Sequence, residues 1–229
     1  MEISKAKISR YALLRHKKYR EKEGLFLVQG SKVVADTRPW FECVDIIEST
    51  EAIKKISTLE NPPDVVAVYK IPEREATLTP LPKDRFYLVL DGVQDPGNLG
   101  TIIRTAHWFG INRIFCSRNT VDVYNPKVVM STMGSIAKVD VTYCDLKELF
   151  EINGDMPVYG LLLEGENLFE VQCPAPGIIV MGSEGHGPTD ETRLHITKAF
   201  TIPPAHTDDH PDSLNVAIAT AVTLSQLIR

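Results

Sequence analysis

The sequence predicts an α/β protein whose larger, C-terminal part is built on a parallel sheet, and three observations carry that expectation. From residue 86 onward, short apolar runs alternate with helical segments. Runs such as Tyr87-Leu88-Val89-Leu90 and Ile178-Ile179-Val180-Met181 are apolar at every position, as strands covered on both faces are. Finally, turn-rich loops follow three of these runs, and ligands of open parallel sheets sit beyond the carboxyl ends of the strands.

Taken in chain order, a basic helix is expected over residues 4–18, a strand at Leu25–Val28 and a helix from Ser31. Further strands are expected near Val44–Glu48 and Val65–Tyr69, making residues 1–72 a small mixed α/β domain. Residues 73–85 read as a linker, because Pro72, Pro80 and Pro82 in and beside them lack the amide donor that helices and sheets need. In the domain of residues 86–229, strands are expected at Phe86–Leu90, Arg113–Ser117, Ala137–Val141, Val158–Leu163, Ile178–Met181 and Ala199–Ile202. Helices are expected between and after them at 98–109, 126–134, 145–152, 189–195 and 213–228. The last of these has no charged side chain from Leu214 to Ile228, so it is buried all round or buried between subunits.

Composition excludes several classes. The 229 residues carry 25 Lys+Arg, 30 Asp+Glu and 43% hydrophobic residues, enough apolar content to close a core rather than stay disordered. No apolar run reaches the length of a membrane span, and the N-terminus has no signal-peptide pattern. Cys43, Cys116, Cys144 and Cys173 are scattered without a CxxC pair, which suits a reducing cytoplasm and neither a disulfide framework nor a zinc site. Charge is uneven: residues 1–32 carry +6 and the remaining 197 carry −11. A polyanion would meet that basic segment, in which Lys5, Lys7, Arg10, Lys17, Lys18 and Arg20 are the candidate contacts.

Three loops hold the candidate site. After Leu90, the Asp-Gly and Pro-Gly steps make turns, Asn98 is a candidate N-cap, and Gly110 closes the helix. Arg104 on that helix can hold a phosphate or a ribose. After Met181, Gly182-Ser183-Glu184-Gly185-His186-Gly187 has neither Walker nor GxGxxG spacing, and Met181 stands where a nucleophile elbow needs its first glycine. After Ile202, the segment Pro203–Asp212 contains His206, Asp208, Asp209 and His210; with three prolines it lacks the regular helix-face spacing of metal ligands, and no metal is expected.

Together the three loops resemble those of the SpoU (TrmH) family of SPOUT RNA methyltransferases. The first motif is similar to Asn98-Leu99-Gly100-Thr101-Ile102-Ile103-Arg104-Thr105-Ala106, the second to Val180–Gly187, and the third to Ile202-Pro203 with Ser213-Leu214-Asn215-Val216-Ala217. Residues 3–36 resemble that family's N-terminal substrate-binding domain, a ribosomal-protein-type RNA-binding fold. The resemblance implies transfer of the S-adenosyl-L-methionine methyl group to a ribose 2′-hydroxyl of rRNA or tRNA. It also implies a deep trefoil knot, which general topology rules would exclude, and a homodimer with active sites between subunits. By the same resemblance Asn98, Arg104, Glu184, Ser213 and Asn215 are catalytic, and Leu163, Gly182, Ile202 and Leu214 hold the cofactor. Whether Arg104 takes the proton or positions the phosphate stays open, although a guanidinium is almost always protonated. The long, glycine-free stretch Pro204–Asp212 departs from the family's short loop. Two other readings also stay open: a catalytically silent RNA-binding protein, and a SPOUT enzyme acting on a tRNA base.

Overall fold

The computed structural model describes residues 3–73, 78–172, 174–205 and 211–228. The N-terminal elements are α1 (Lys5–Ala12), α2 (Lys17–Glu23), β1 (Leu25–Gln29), α3 (Ser31–Thr37), β2 (Cys43–Ile47), α4 (Thr50–Ile56) and β3 (Val66–Lys70). The expected single basic helix is two helices. A 3₁₀ turn at Leu13–Arg15 and an extended His16 break it, and Gly24, at φ 62°, ends the second piece. The strands pair antiparallel in the order β1–β3–β2.

Because side chains alternate across a strand, β1 serves two cores at once. Leu25 and Leu27 pack with Tyr11, Leu14, Ile53 and Ile56 of their own helices. Phe26 and Val28 join the cluster that also contains Leu88, Leu90, Ile102 and Val129 of the larger sheet's layer. Packing therefore runs continuously from the small sheet into the large one. Arg20 adds a polar link: its side chain is 2% exposed, with Nε 3.0 Å and Nη2 2.5 Å from Asp122 Oδ2. Its Nη1 donates to the carbonyls of Leu14 and Arg15 at 2.8 and 3.0 Å. This corrects the expectation that Arg20 faces RNA. Its donors are spent inside the protein, where an unpaired charge would be costly. A third link is Lys138 Nζ, 3.4 Å from the centre of the Trp40 ring.

The larger part comprises β4 (Tyr87–Asp91), α5 (Pro96–Trp108), β5 (Arg113–Cys116), α6 (Pro126–Ser131), β6 (Asp140–Tyr143), α7 (Leu146–Ile152), β7 (Val158–Asn167), β8 (Ile178–Gly182), α8 (Asp190–Arg193), β9 (Lys198–Thr201) and α9 (Val216–Leu227). Among the described residues the six strands form one sheet, all neighbours parallel, in the order β6–β5–β4–β8–β7–β9. Leu88 and Leu90 face the layer of α5, α6 and α9, while Tyr87 and Val89 face α7. The all-apolar runs are thus strands covered on both faces, as expected. Leu81, inside the expected linker, is buried and donates its amide to Asn153 Oδ1 at 2.8 Å.

Several boundaries differ from expectation for local reasons. The strand placed at Ala137–Val141 begins at Asp140, because Met133 and Gly134 take positive φ and Ser135–Ala137 form a 3₁₀ turn. Helix α5 starts two residues early: Asp95, not Asn98, is its N-cap, accepting the Asn98 amide at 2.9 Å, with Pro96 next. At its other end Gly110 (φ 77°) closes a Schellman turn, its amide bonding His107 O at 3.2 Å and that of Ile111 bonding Ala106 O at 2.9 Å. The Asn98 amide, with a lesser contribution from the charge of Lys127, holds the Asp95 carboxyl below the usual carboxylate range against the opposing effect of partial burial. A depressed folded-state value makes this cap fully effective above pH ~4 and weaker as pH falls through that value. Asp95→Ala is therefore expected to cost about 1 kcal/mol in urea unfolding at pH 7, with the difference from the parent protein shrinking in acid.

Candidate active site

The site lies at the carboxyl ends of the central strands. Asp91 pairs with Gly182 across β4 and β8, so the loops that follow these strands leave side by side. The Asp91 carboxylate, 3% exposed at the end of an otherwise apolar strand, accepts both the amide and the hydroxyl of Thr189 at 2.8 Å. It fixes the return of the glycine loop to the sheet. Sequence reasoning assigned Asp91 no role; its signal was a lone acid closing a wholly apolar run.

The glycine loop is a small hairpin. Ser183 N donates to Gly187 O at 3.1 Å and Gly187 N returns the bond to Ser183 O at 2.9 Å. Gly187 takes φ 68°, open to glycine at no steric cost. Gly182 is required for a different reason, close approach: a Cβ there would stand 2.0 Å from the carbonyl carbon of Gly187 and the nitrogen of Pro188. The hairpin presents Glu184 to solvent beside the start of α5.

Three loops meet in one hydrogen-bonded chain. Asn215, the N-cap of α9, accepts the amides of Ala217 and Ile218 at 3.0 and 3.3 Å through Oδ1. Its Nδ2 then donates to Asn98 Oδ1 at 3.0 Å, and Asn98 Nδ2 donates to Glu184 Oε1 at 2.5 Å. The direction is forced from both ends, since backbone amides can only donate and an ionised carboxylate can only accept. Three candidate catalytic residues, far apart in sequence, are therefore oriented as a unit. Ser213 and Leu214, read from sequence as the first turn of the last helix, lie before its cap and are exposed.

Arg104 is elsewhere on α5. Six residues from Asn98, at ~100° per residue, it points about 120° away around the helix axis. It is exposed and, among the described residues, has no hydrogen-bond or ion-pair partner. The site thus has a preorganised amide–carboxylate chain on one flank of α5 and an uncommitted guanidinium on another. Of the candidate cofactor residues, Leu163, Gly182 and Ile202 stand in or just after β7, β8 and β9, which are neighbours in the sheet, and Leu214 lies at the approach to α9. Leu163 is exposed, in a stretch where the β7–β9 register slips between Leu161 and Glu166, and its carbonyl accepts the Thr201 hydroxyl at 3.0 Å. His206, Asp208, Asp209 and His210 lie outside the described residues.

The basic candidates differ in availability. Lys7 pairs with Asp45 at 2.9 Å, Arg10 with Glu23 at 2.5 Å and Lys17 with Glu21 at 3.7 Å, all partly or largely exposed. Such surface pairs contribute little and exchange readily. Lys5 has no partner among the described residues, and Lys18 lies 5.0 Å from the centre of the Tyr19 ring.

Comparison with known proteins bears on this geometry. The SpoU rRNA Methylase family model matches residues 85–225. An uncharacterized tRNA/rRNA methyltransferase of Synechocystis sp. is 34% identical over 185 residues, covering 79% of this chain and 66% of that protein. The 23S rRNA (guanosine(2553)-2′-O)-methyltransferase RlmP of Bacillus subtilis is 28% identical over 96% of this chain and 95% of its own. Among solved structures, a TrmH-family protein from Porphyromonas gingivalis superposes with a TM-score of 0.86 at 36% identity, covering 99% and 98% of the two chains. AdoMet-bound rRNA methyltransferase from Sinorhizobium meliloti has the same fold, with a TM-score of 0.87 at 24% identity over 99% of this chain and 95% of its own.

Proposed function

The chain belongs to the SpoU rRNA methylase family, and from that premise we propose that it transfers the methyl group of S-adenosyl-L-methionine to a ribose 2′-hydroxyl of ribosomal or transfer RNA. The observation that carries the reading is the Asn215–Asn98–Glu184 chain on one flank of α5 with Arg104, unpaired among the described residues, on another. A ribose hydroxyl is a weak nucleophile, so holding it in line with the methyl donor supplies much of the rate.

The residues present fit the cofactor. An adenine ring needs apolar contact and backbone hydrogen-bonding groups; the exposed side chains of Leu163 and Leu214 offer the first, and the strand ends at Gly182 and Ile202 the second. When bound, S-adenosyl-L-methionine would supply an electrophilic methyl group to the ribose oxygen, with the thioether as leaving group and the hydroxyl proton passing to solvent. Arg104 holds the phosphate beside the target ribose, where a planar fork outperforms a point charge. Asn98 and Asn215, fixed by the capped helix, present amide groups to the ribose, and Glu184 keeps Asn98 oriented. Ser213 precedes the cap and is free to bond substrate.

The active unit in this reading is a homodimer. Trp108 is 85% exposed on α5 and Ile218 54% exposed on the uncharged α9, and these two helices pack together. An exposed apolar surface of this kind suits a partner subunit. It also suits the separation of Arg104 from the amide chain, if one protomer supplies Arg104 and its partner the chain. The trefoil knot belongs to the same reading, supported by the strand order β4–β8–β7–β9 and by the glycine loop folded back on Gly182. Residues 1–72 form the RNA-binding domain, residues 73–85 its linker, and the cytoplasm is the place of action. Incubation with labelled S-adenosyl-L-methionine and deproteinised bacterial rRNA or tRNA is expected to label one of the two pools. Failure to label either, with the cofactor bound, would favour a silent RNA-binding protein.

A further inference from the structure

A cleft of about 450 Å³ opens between Arg15 and residues 58–60 on one side and the start of α6 on the other, and the reaction described above makes no use of it. One wall carries Arg15, Thr58 and Glu60; the other carries Asn125, Lys127 and Ser131. Building on the RNA substrate of the proposed function, we propose that this cleft is a track for the RNA backbone, with Arg15 and Lys127 as phosphate-holding, positioning residues.

The two cations are presented differently. Arg15 donates Nε to Ala12 O at 2.7 Å and Nη2 to Lys55 O at 3.3 Å. Two backbone carbonyls thus set the plane of the guanidinium and leave other N–H donors of the fork free. Little side-chain entropy remains to be lost when a phosphate arrives. Lys127 is 65% exposed, and its nearest anion, Asp95 Oδ2, is 3.6 Å away and 48% exposed. An ion pair that exposed contributes little and yields to a phosphate. Glu60 is the acid in the lining, so the cations outnumber it.

Location gives the cleft its purpose. Lys127 Cε lies 3.7 Å from where a Cβ on Gly97 would stand, and the next residue is Asn98. Gly100 packs so closely on α6 that its Cβ would meet Ser131 Cβ at 2.4 Å. The wall bearing Lys127 is therefore fixed to the helix that carries Asn98 and Arg104. The opposite wall continues into the basic α1–α2 segment. An RNA strand lying in the cleft is held between that segment and the reacting ribose.

Filter binding of the full-length protein to deproteinised bacterial rRNA, from about 50 to about 300 mM salt, tests this. Each phosphate contact contributes roughly 0.7–0.9 to the slope of log K against log salt. Arg15→Gln/Lys127→Gln is expected to bind at least ~10-fold more weakly and to flatten the slope by about 1.4–1.8. Arg15→Lys/Lys127→Arg, which keeps both charges, should retain most of the slope. Lys83→Gln/Lys198→Gln, equal in charge but lying before β4 and at the start of β9, should match the parent protein. Thermal midpoint and cofactor affinity should be unchanged throughout. A Gln pair at Arg15 and Lys127 indistinguishable from the Lys83/Lys198 control would overturn the proposal. Absence of methyl transfer by the parent protein, with the slope change intact, would instead remove the catalytic reading and leave the track standing.

Discussion

Arg104→Ala is expected to lower kcat for methyl transfer by at least about 100-fold while leaving the thermal midpoint and cofactor affinity unchanged. The stability expectation rests on its surroundings: Arg104 is exposed and, among the described residues, unpartnered. Surface side chains of that kind usually shift stability by no more than ~0.5 kcal/mol. The activity expectation rests on an uncommitted guanidinium carried by the same helix as the preorganised amide–carboxylate chain. Arg104→Lys separates its two possible roles. A phosphate-positioning residue keeps part of its effect as lysine, because charge survives although the fork is lost. A residue acting as base would instead make the parent rate climb toward very high pH, since a guanidinium loses its proton only above pH ~12. Equal loss of cofactor binding and transfer in calorimetry and the transfer assay would show Arg104 to be structural.

Gly182→Ala is expected to destabilise the protein by at least ~3 kcal/mol, since overpacking against side chains already costs about 1–3. Here the added methyl meets backbone, at 2.0 Å from both Gly187 C and Pro188 N, which cannot move without opening the Ser183–Gly187 hairpin. At roughly 2–4 °C per kcal/mol for a chain of this size, the midpoint falls by about 6–12 °C. The internal control is three residues on. A Cβ on Gly185 meets nothing within 4 Å, so Gly185→Ala should leave the midpoint almost unmoved. Similar midpoints for the two variants would mean that the loop does not fold back on β8 as described.

Much of this architecture was legible in the sequence, because the large sheet is buried on both faces and its strands are wholly apolar. The pattern could not give strand order, which depends on how crossovers pack, nor the sharing of one core between the two sheets. That sharing comes from the alternate residues Phe26 and Val28 of β1, which read simply as strand. The candidate site could be read as residue types and not as geometry. Asn98, Glu184 and Asn215 were expected to act together and are hydrogen-bonded in a chain. Arg104 was expected among them, but six residues along a helix carry it to another flank. Composition misled at Arg20, because a basic run does not reveal which member turns inward to a carboxylate 102 residues away. Capping misled twice in the same way. Asp95 and Asn215 cap α5 and α9, whereas the helices were expected to start at Asn98 and at Ser213.

Ribose chemistry is tested most directly by mapping the methylated atom. RNA labelled by the parent protein would be digested to nucleosides and resolved by mass spectrometry. A single 2′-O-methylated nucleoside is expected, absent when Arg104→Ala replaces the parent protein. A methyl group on a base nitrogen or carbon would contradict ribose chemistry.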